Sequence, residues 1–128
     1  MATILIAEAE ADILRILRTR LENNGYTVLG ASDGAQALLA LRNEQDEVDL
    51  VITGIPMPRM NGFELGEQLR TEYPRLPVIY MSPYITDNVF KRARELQKTG
   101  LPEDCAFLTM PFSEEELLRV VRTVLPSE

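Results

Sequence analysis

Glu8 and Glu10, just past an apolar run, are the first side chains whose type and spacing could do chemistry. Together with backbone carbonyls they could hold a divalent cation. Once a strand has given way to a loop, however, a spacing of two no longer guarantees a shared face. Glu8 is therefore only a weak metal candidate, and no metal site is expected. Thr53 and Ser82 offer hydroxyls, but nothing near them in sequence would activate either one as a nucleophile. The chain has no histidine. That excludes an imidazole base, an imidazole metal ligand and a phosphohistidine donor. Cys105 is the single cysteine, so no internal disulfide forms and a reducing cytoplasm is the expected location. It reads as a small, partly buried residue rather than a reactive thiol.

The central stretch runs V-D-L-V-I-T-G-I-P-M-P-R-M-N-G-F from Val48 to Phe63. Leu50, Val51 and Ile52 suit a parallel strand covered on both faces. The strand ends at Gly54, and Pro56, Pro58 and Asn61-Gly62 punctuate the loop that follows. In an open α/β sheet, ligands bind at the carboxyl end of such a strand. Here that place holds a glycine.

The other elements fall into the same alternation. Ile4 to Ala7 reads as a strand. Ile13, Ile16, Leu17 and Leu21 then recur at helical spacing, with Leu14 on the edge of the stripe and Asn24-Gly25 as the stop. Tyr26 to Leu29 reads as a strand, and Ser32-Asp33-Gly34 opens a helix through Ala37, Leu38 and Leu41. A helix from Phe63 carries Leu65 and Leu69 to Pro74. Pro77 to Met81 is the fourth strand, broken by Ser82-Pro83. Thr86-Asp87 caps a helix through Val89, Phe90, Ala93 and Leu96. Ala106 to Thr109 makes a fifth strand, and Ser113, with Glu116 in capping-box spacing, opens a helix through Leu117, Val121 and Leu125. Strands and helices in strict alternation imply an α/β fold, a five-stranded doubly wound parallel sheet with right-handed crossovers. Only Pro126-Ser127-Glu128 follows the last helix, so the expected organisation is one domain over 3–125 with no output domain on this chain.

A net charge of −7 opposes nucleic-acid binding. Arg15, Arg18 and Arg20 are the nearest thing to a basic patch, but Glu8, Glu10 and Glu22 lie beside them. No apolar run reaches membrane-spanning length, and Met1-Ala2-Thr3-Ile4 lacks the basic region and long apolar segment of a secretory signal. Neither nucleic acid nor membrane is expected as a partner.

Four stretches together resemble the receiver domain of two-component response regulators. They are I-L-I-A-E-A-E-A-D-I-L-R-I-L, D-L-V-I-T-G-I-P-M-P-R-M-N-G-F-E-L, P-V-I-Y-M-S-P-Y and F-L-T-M-P-F-S-E-E-E-L-L. The resemblance implies a CheY-like, flavodoxin-type sheet of order 2-1-3-4-5 covering Thr3 to Leu125. It also implies a phosphorylation site, and there the chain departs from the pattern. The acidic pair that holds Mg²⁺ falls on Glu8 and Ala9. The phosphoacceptor aspartate is Gly54, and the lysine that pairs with phosphoryl charge is Met110, before Pro111. Only the hydroxyl after the fourth strand persists, as Ser82.

These losses agree in charge. A lysine left without carboxylates would be half-buried and unpaired, and carboxylates left without the lysine would repel. An engineered knock-out usually changes one position conservatively, so three coordinated losses point to natural decay. Met110 is expected to lean over Gly54 and fill an almost apolar pocket. No cofactor is expected, Mg²⁺ binding being lost or weak.

The resemblance marks Phe107 as the aromatic that rotates on activation, although a fixed core aromatic fits the same residue. Leu14 lies where receivers dock kinase helices, or is simply the margin of the core. Tyr84, Ile85 and Phe90, beside a long connection from Lys98 to Asp104, add surface for a partner or for a homodimer through the face of the fourth helix, fifth strand and fifth helix. The expected function is a degenerate receiver (a pseudo-receiver) that binds a protein partner, a histidine kinase or another signalling protein, without phosphorylation and without enzymatic activity. The alternatives are a receiver phosphorylated on a residue other than aspartate, and the C-terminal receiver piece of a hybrid histidine kinase.

Overall fold

The computed structural model describes residues 2–43, 47–83, 86–96 and 107–125, without the side chain of Phe90. Strands β1 (Thr3–Ala7), β2 (Thr27–Ala31), β3 (Leu50–Gly54), β4 (Val78–Ser82) and β5 (Phe107–Thr109) form one parallel sheet in the order β2-β1-β3-β4-β5. Helices α1 (Ala11–Glu22), α2 (Gly34–Asn43), α3 (Gly62–Glu72), α4 (Asp87–Leu96) and α5 (Glu114–Val124) alternate with them. The register is continuous. Leu5 lies between Leu29 on one side and Val51 on the other, and Ile52 pairs with Ile79.

Because side chains alternate across a strand, the sheet sorts its residues into two cores. Ile4, Ile6, Ile52, Ile79, Met81 and Leu108 face α1 and α5, where they meet Leu17, Leu21, Leu117 and Val121. Leu5, Val51, Tyr80 and Phe107 face α2, α3 and α4, where they meet Leu41, Leu65, Leu69 and Ala93. Each such aliphatic side chain contributes about 1.5–3 kcal/mol by leaving water. Both faces of β3 and β4 are buried, which is why their sequences read as apolar runs rather than alternations.

Four of the five helix starts are fixed by side chains; α1 begins after Glu10 without a side-chain cap. Asp33 Oδ1 accepts the Gln36 N–H at 2.8 Å, Thr86 Oγ1 accepts the Val89 N–H at 3.2 Å, and Ser113 Oγ accepts the Glu116 N–H at 3.0 Å. A complete capping box opens α3: Asn61 accepts from Glu64 N–H at 2.9 Å and Glu64 accepts from Asn61 N–H at 3.0 Å. Element edges differ from the sequence reading by a residue or two. One difference matters: Ile16, read as part of the buried stripe of α1, is 43% exposed. Leu17 and Leu21 carry that packing instead. Leu14 is half-buried against the α1/α5 core and lies over Gly30 of β2, so it sits at the core margin.

Candidate functional site

The carboxyl ends of β1 and β3 place Glu8 beside Gly54, since Ala7 and Thr53, the residues before them, are paired in register. Glu8 is 7% exposed. Its Oε2 accepts the Glu10 N–H at 2.9 Å, which fixes the carboxylate over the strand end. A Cβ built on Gly54 would stand 2.8 Å from Glu8 Oε1, and its three nearest atoms all belong to Glu8. Burial pushes the Glu8 carboxyl above its ordinary value and the negative charge of Glu10 adds to that, while the Glu10 and Ala9 N–H groups oppose it.

The expectation that Met110 covers Gly54 is therefore replaced. Glu8, from the strand next to β3, supplies the three atoms nearest a Cβ at Gly54. Met110 packs instead against the α1/α5 core. With Pro111 and Phe112 it lines a groove of about 190 Å³ whose other wall is Ile13, Ile16 and Leu17, with Arg20 at the rim. The site beside Gly54 keeps a buried carboxylate rather than becoming apolar.

The hydroxyls are both buried. Thr53 Oγ1 donates to the Gly54 carbonyl at 2.9 Å. Ser82 is 5% exposed, and its carbonyl accepts the Met110 N–H at 2.9 Å, tying β4 to the residue after β5. Phe107 is 7% exposed in the α2–α4 core and pairs with Tyr80 in register. Ala9 is exposed, so the structure does not bring it into the buried part of the site. Tyr84 and Cys105 lie outside the described residues, as do the 98–104 connection and the side chain of Phe90.

One ion pair at this end escaped the sequence reading. Asp33 is fully buried, and Arg59 donates to its Oδ2 through Nε at 2.9 Å and also through Nη2. The Gln36 N–H and the Arg59 guanidinium hold the Asp33 carboxyl below its ordinary value. Arg59 makes this contact from a left-handed backbone, φ 65°. The nearest signal in the sequence was the Asp-Gly at the start of α2, which read as a helix opening and gave no hint of a partner 26 residues on.

Among the described residues, no three Cys, Asp or Glu side chains gather as metal ligands. No helix among them is long and apolar enough to cross a membrane.

The strand order and the loops gathered above β1 and β3 define a doubly wound α/β domain of the flavodoxin type, with its working end at the carboxyl edge of the sheet. A family model for the response regulator receiver domain matches residues 4–122, and the chain belongs to that family. Response regulator GtcR of Aneurinibacillus migulanus is 37% identical over 123 residues, 96% of this chain and 47% of its own length. Sensor kinase CckA of Brucella abortus is 35% identical over 99% of this chain and 13% of the kinase. The chain thus spans about half of such a regulator and a small part of the kinase. Chemotaxis protein CheY4 of Vibrio cholerae superposes with a TM-score of 0.84 at 27% identity, over 98% of this chain and 99% of that one. The CheX–CheY–BeF₃–Mg complex of Borrelia burgdorferi, at 20% identity and a TM-score of 0.88, shares the fold. Receivers of this kind are signalling modules of two-component systems that interact with histidine kinases and other signalling proteins, and are generally not enzymes.

Proposed function

We propose that this receiver works as a phosphorylation-independent protein-interaction module. The observation that carries the reading is Gly54: the carboxyl end of β3 presents hydrogen where the family has its acceptor carboxylate. No oxygen nucleophile takes its place in usable form. The nearest carboxylate, Glu8, belongs to β1, is buried and is pushed toward its neutral form. The Thr53 hydroxyl is spent on a backbone carbonyl.

Mg²⁺ does not fit these donors. The ion takes hard oxygen ligands in near-octahedral geometry. Glu8 would be the one carboxylate offered from the site, because Ala9 and Gly54 bring none and Glu8 Oε2 already accepts the Glu10 N–H. Nothing in the proposed function runs through a metal.

The groove between α1 and Met110 supports the binding half of the reading. Ile16 exposes a large apolar side chain there, next to Ile13, Met110 and Phe112. Where the family keeps a lysine directed at phosphate, this chain has a methionine facing α1. A partner that reads this surface would not depend on the state of position 54.

Incubation with acetyl phosphate and Mg²⁺, followed by intact-mass measurement, tests the proposal. The expected result is an unchanged mass. A stable gain of one phosphoryl group, mapped to Glu8, Thr53 or Ser82, would overturn it in favour of a receiver with an unusual acceptor.

A further inference from the structure

Tyr80 lies within β4 and is fully buried, yet its hydroxyl has no hydrogen-bond partner among the described residues. A buried donor left unpaired is costly, and native cores rarely keep one without a reason. Packing alone does not supply the reason. The Tyr80 ring meets Phe63 at 5.2 Å, tilted by 48°, and phenylalanine would make that contact equally well.

The hydroxyl is aimed at α3. A Cβ on Gly66 would stand 1.8 Å from Tyr80 Oη, so the oxygen rests where only a glycine leaves room. The next residue of that helix, Glu67, is an acceptor, but Arg92 of α4 holds it in an ion pair. Arg92 also reaches Glu95 at 3.3 Å, and Arg70 of α3 donates to the Glu95 carbonyl at 3.0 Å. Among its described side chains α4 buries only Ala93 and Leu96. It is thus a lightly anchored helix, held to α3 by polar ties at the surface.

We propose that Tyr80, Glu67 and Arg92 form a two-position latch between β4, α3 and α4. In the position described here Arg92 holds Glu67 and the Tyr80 hydroxyl has no acceptor. When α4 draws away, Glu67 is released and accepts the Tyr80 O–H. The open position thereby recovers in one hydrogen bond part of what it loses in the ion pair, so the two positions lie close enough for a bound partner to choose between them. Phe107, beside Tyr80 in the sheet, is uncovered or covered by the same movement. The latch does not depend on how position 54 is read, since none of its residues belongs to that site.

Amide hydrogen exchange along α4 of the whole chain tests it. Tyr80→Phe keeps the ring and removes the hydroxyl, and it slows exchange of the α4 amides roughly five- to tenfold, because the open position loses its compensating hydrogen bond. In an Arg92→Gln background Glu67 accepts from Tyr80 in either position of α4, so adding Tyr80→Phe there leaves exchange unchanged. Glu67→Ala removes the acceptor and makes Tyr80→Phe equally silent. If Tyr80→Phe fails to slow exchange in the wild type, or slows it equally in all three backgrounds, the hydroxyl has no part in moving α4 and the latch is refuted.

Discussion

Glu8 is a carboxylate drawn out of water without a cation, and its pH behaviour follows from that. Its folded-state pKa lies above the ordinary value of 4.5, so the folded chain holds this proton more tightly than the unfolded one. Its contribution to stability is fully favourable below pH 4.5 and declines as pH rises through the raised folded value. Glu8→Gln, which keeps the shape without the charge, should raise the melting temperature at neutral pH and change nothing in acid. Melting curves of both proteins across that range check this, and a loss of stability at pH 7 would contradict it. Asp33 is its mirror: with a lowered pKa it stabilises the fold above its ordinary 3.8, and that contribution is lost as acid carries the pH down through the depressed folded value. The end of β3 at Gly54 was legible because the apolar run before it is local, whereas Ser82, read as breaking the fourth strand, is the last residue of β4. The course of Met110 was not legible, because the direction a flexible side chain takes after β5 is set by packing against α1, a contact far away in the chain.

Among the elements, α3 shows what local sequence can and cannot disclose. The Asn61-Gly62 pair read as loop punctuation, yet Asn61 is half of a capping box with Glu64. Asn61→Ala should cost about 1 kcal/mol, measured by denaturant unfolding. Gly66 looks like a weak point in a helix until Tyr80 is seen against it. Gly66→Ala would force the Tyr80 hydroxyl aside and should cost about 1–3 kcal/mol, as overpacking of a core does. The cost should shrink when Tyr80→Leu clears the space, and equal costs in both backgrounds would show that the two residues are not coupled. The exposed turn of α1 at Ile16 marks the limit of periodicity as a guide. A stripe at helical spacing tells which residues are apolar, not how far the sheet extends to cover them.

For the whole molecule, the alternation of apolar runs with helical stripes carried the fold class and the element order, while the sheet order came from the resemblance to receivers. Site behaviour was less legible, because it turns on a few side chains meeting from different strands. A receiver that binds Mg²⁺ in its folded state alone gains stability from the ion by mass action. Here millimolar Mg²⁺ should leave the melting temperature where it was, and a rise of several degrees would speak for a cation site after all. The Asp33–Arg59 pair has a consequence at this scale. Asp33 follows β2 and Arg59 follows β3, and β1 lies between those strands, so the pair passes over the end of β1. The pair therefore ties together the loops on either side of the one that Glu8 opens, through a charged contact rather than through the sheet. Cutting that tie with Arg59→Gly would ease the left-handed backbone and at the same time strand the buried Asp33 anion, loosening the loops after β2 and β3 from one another.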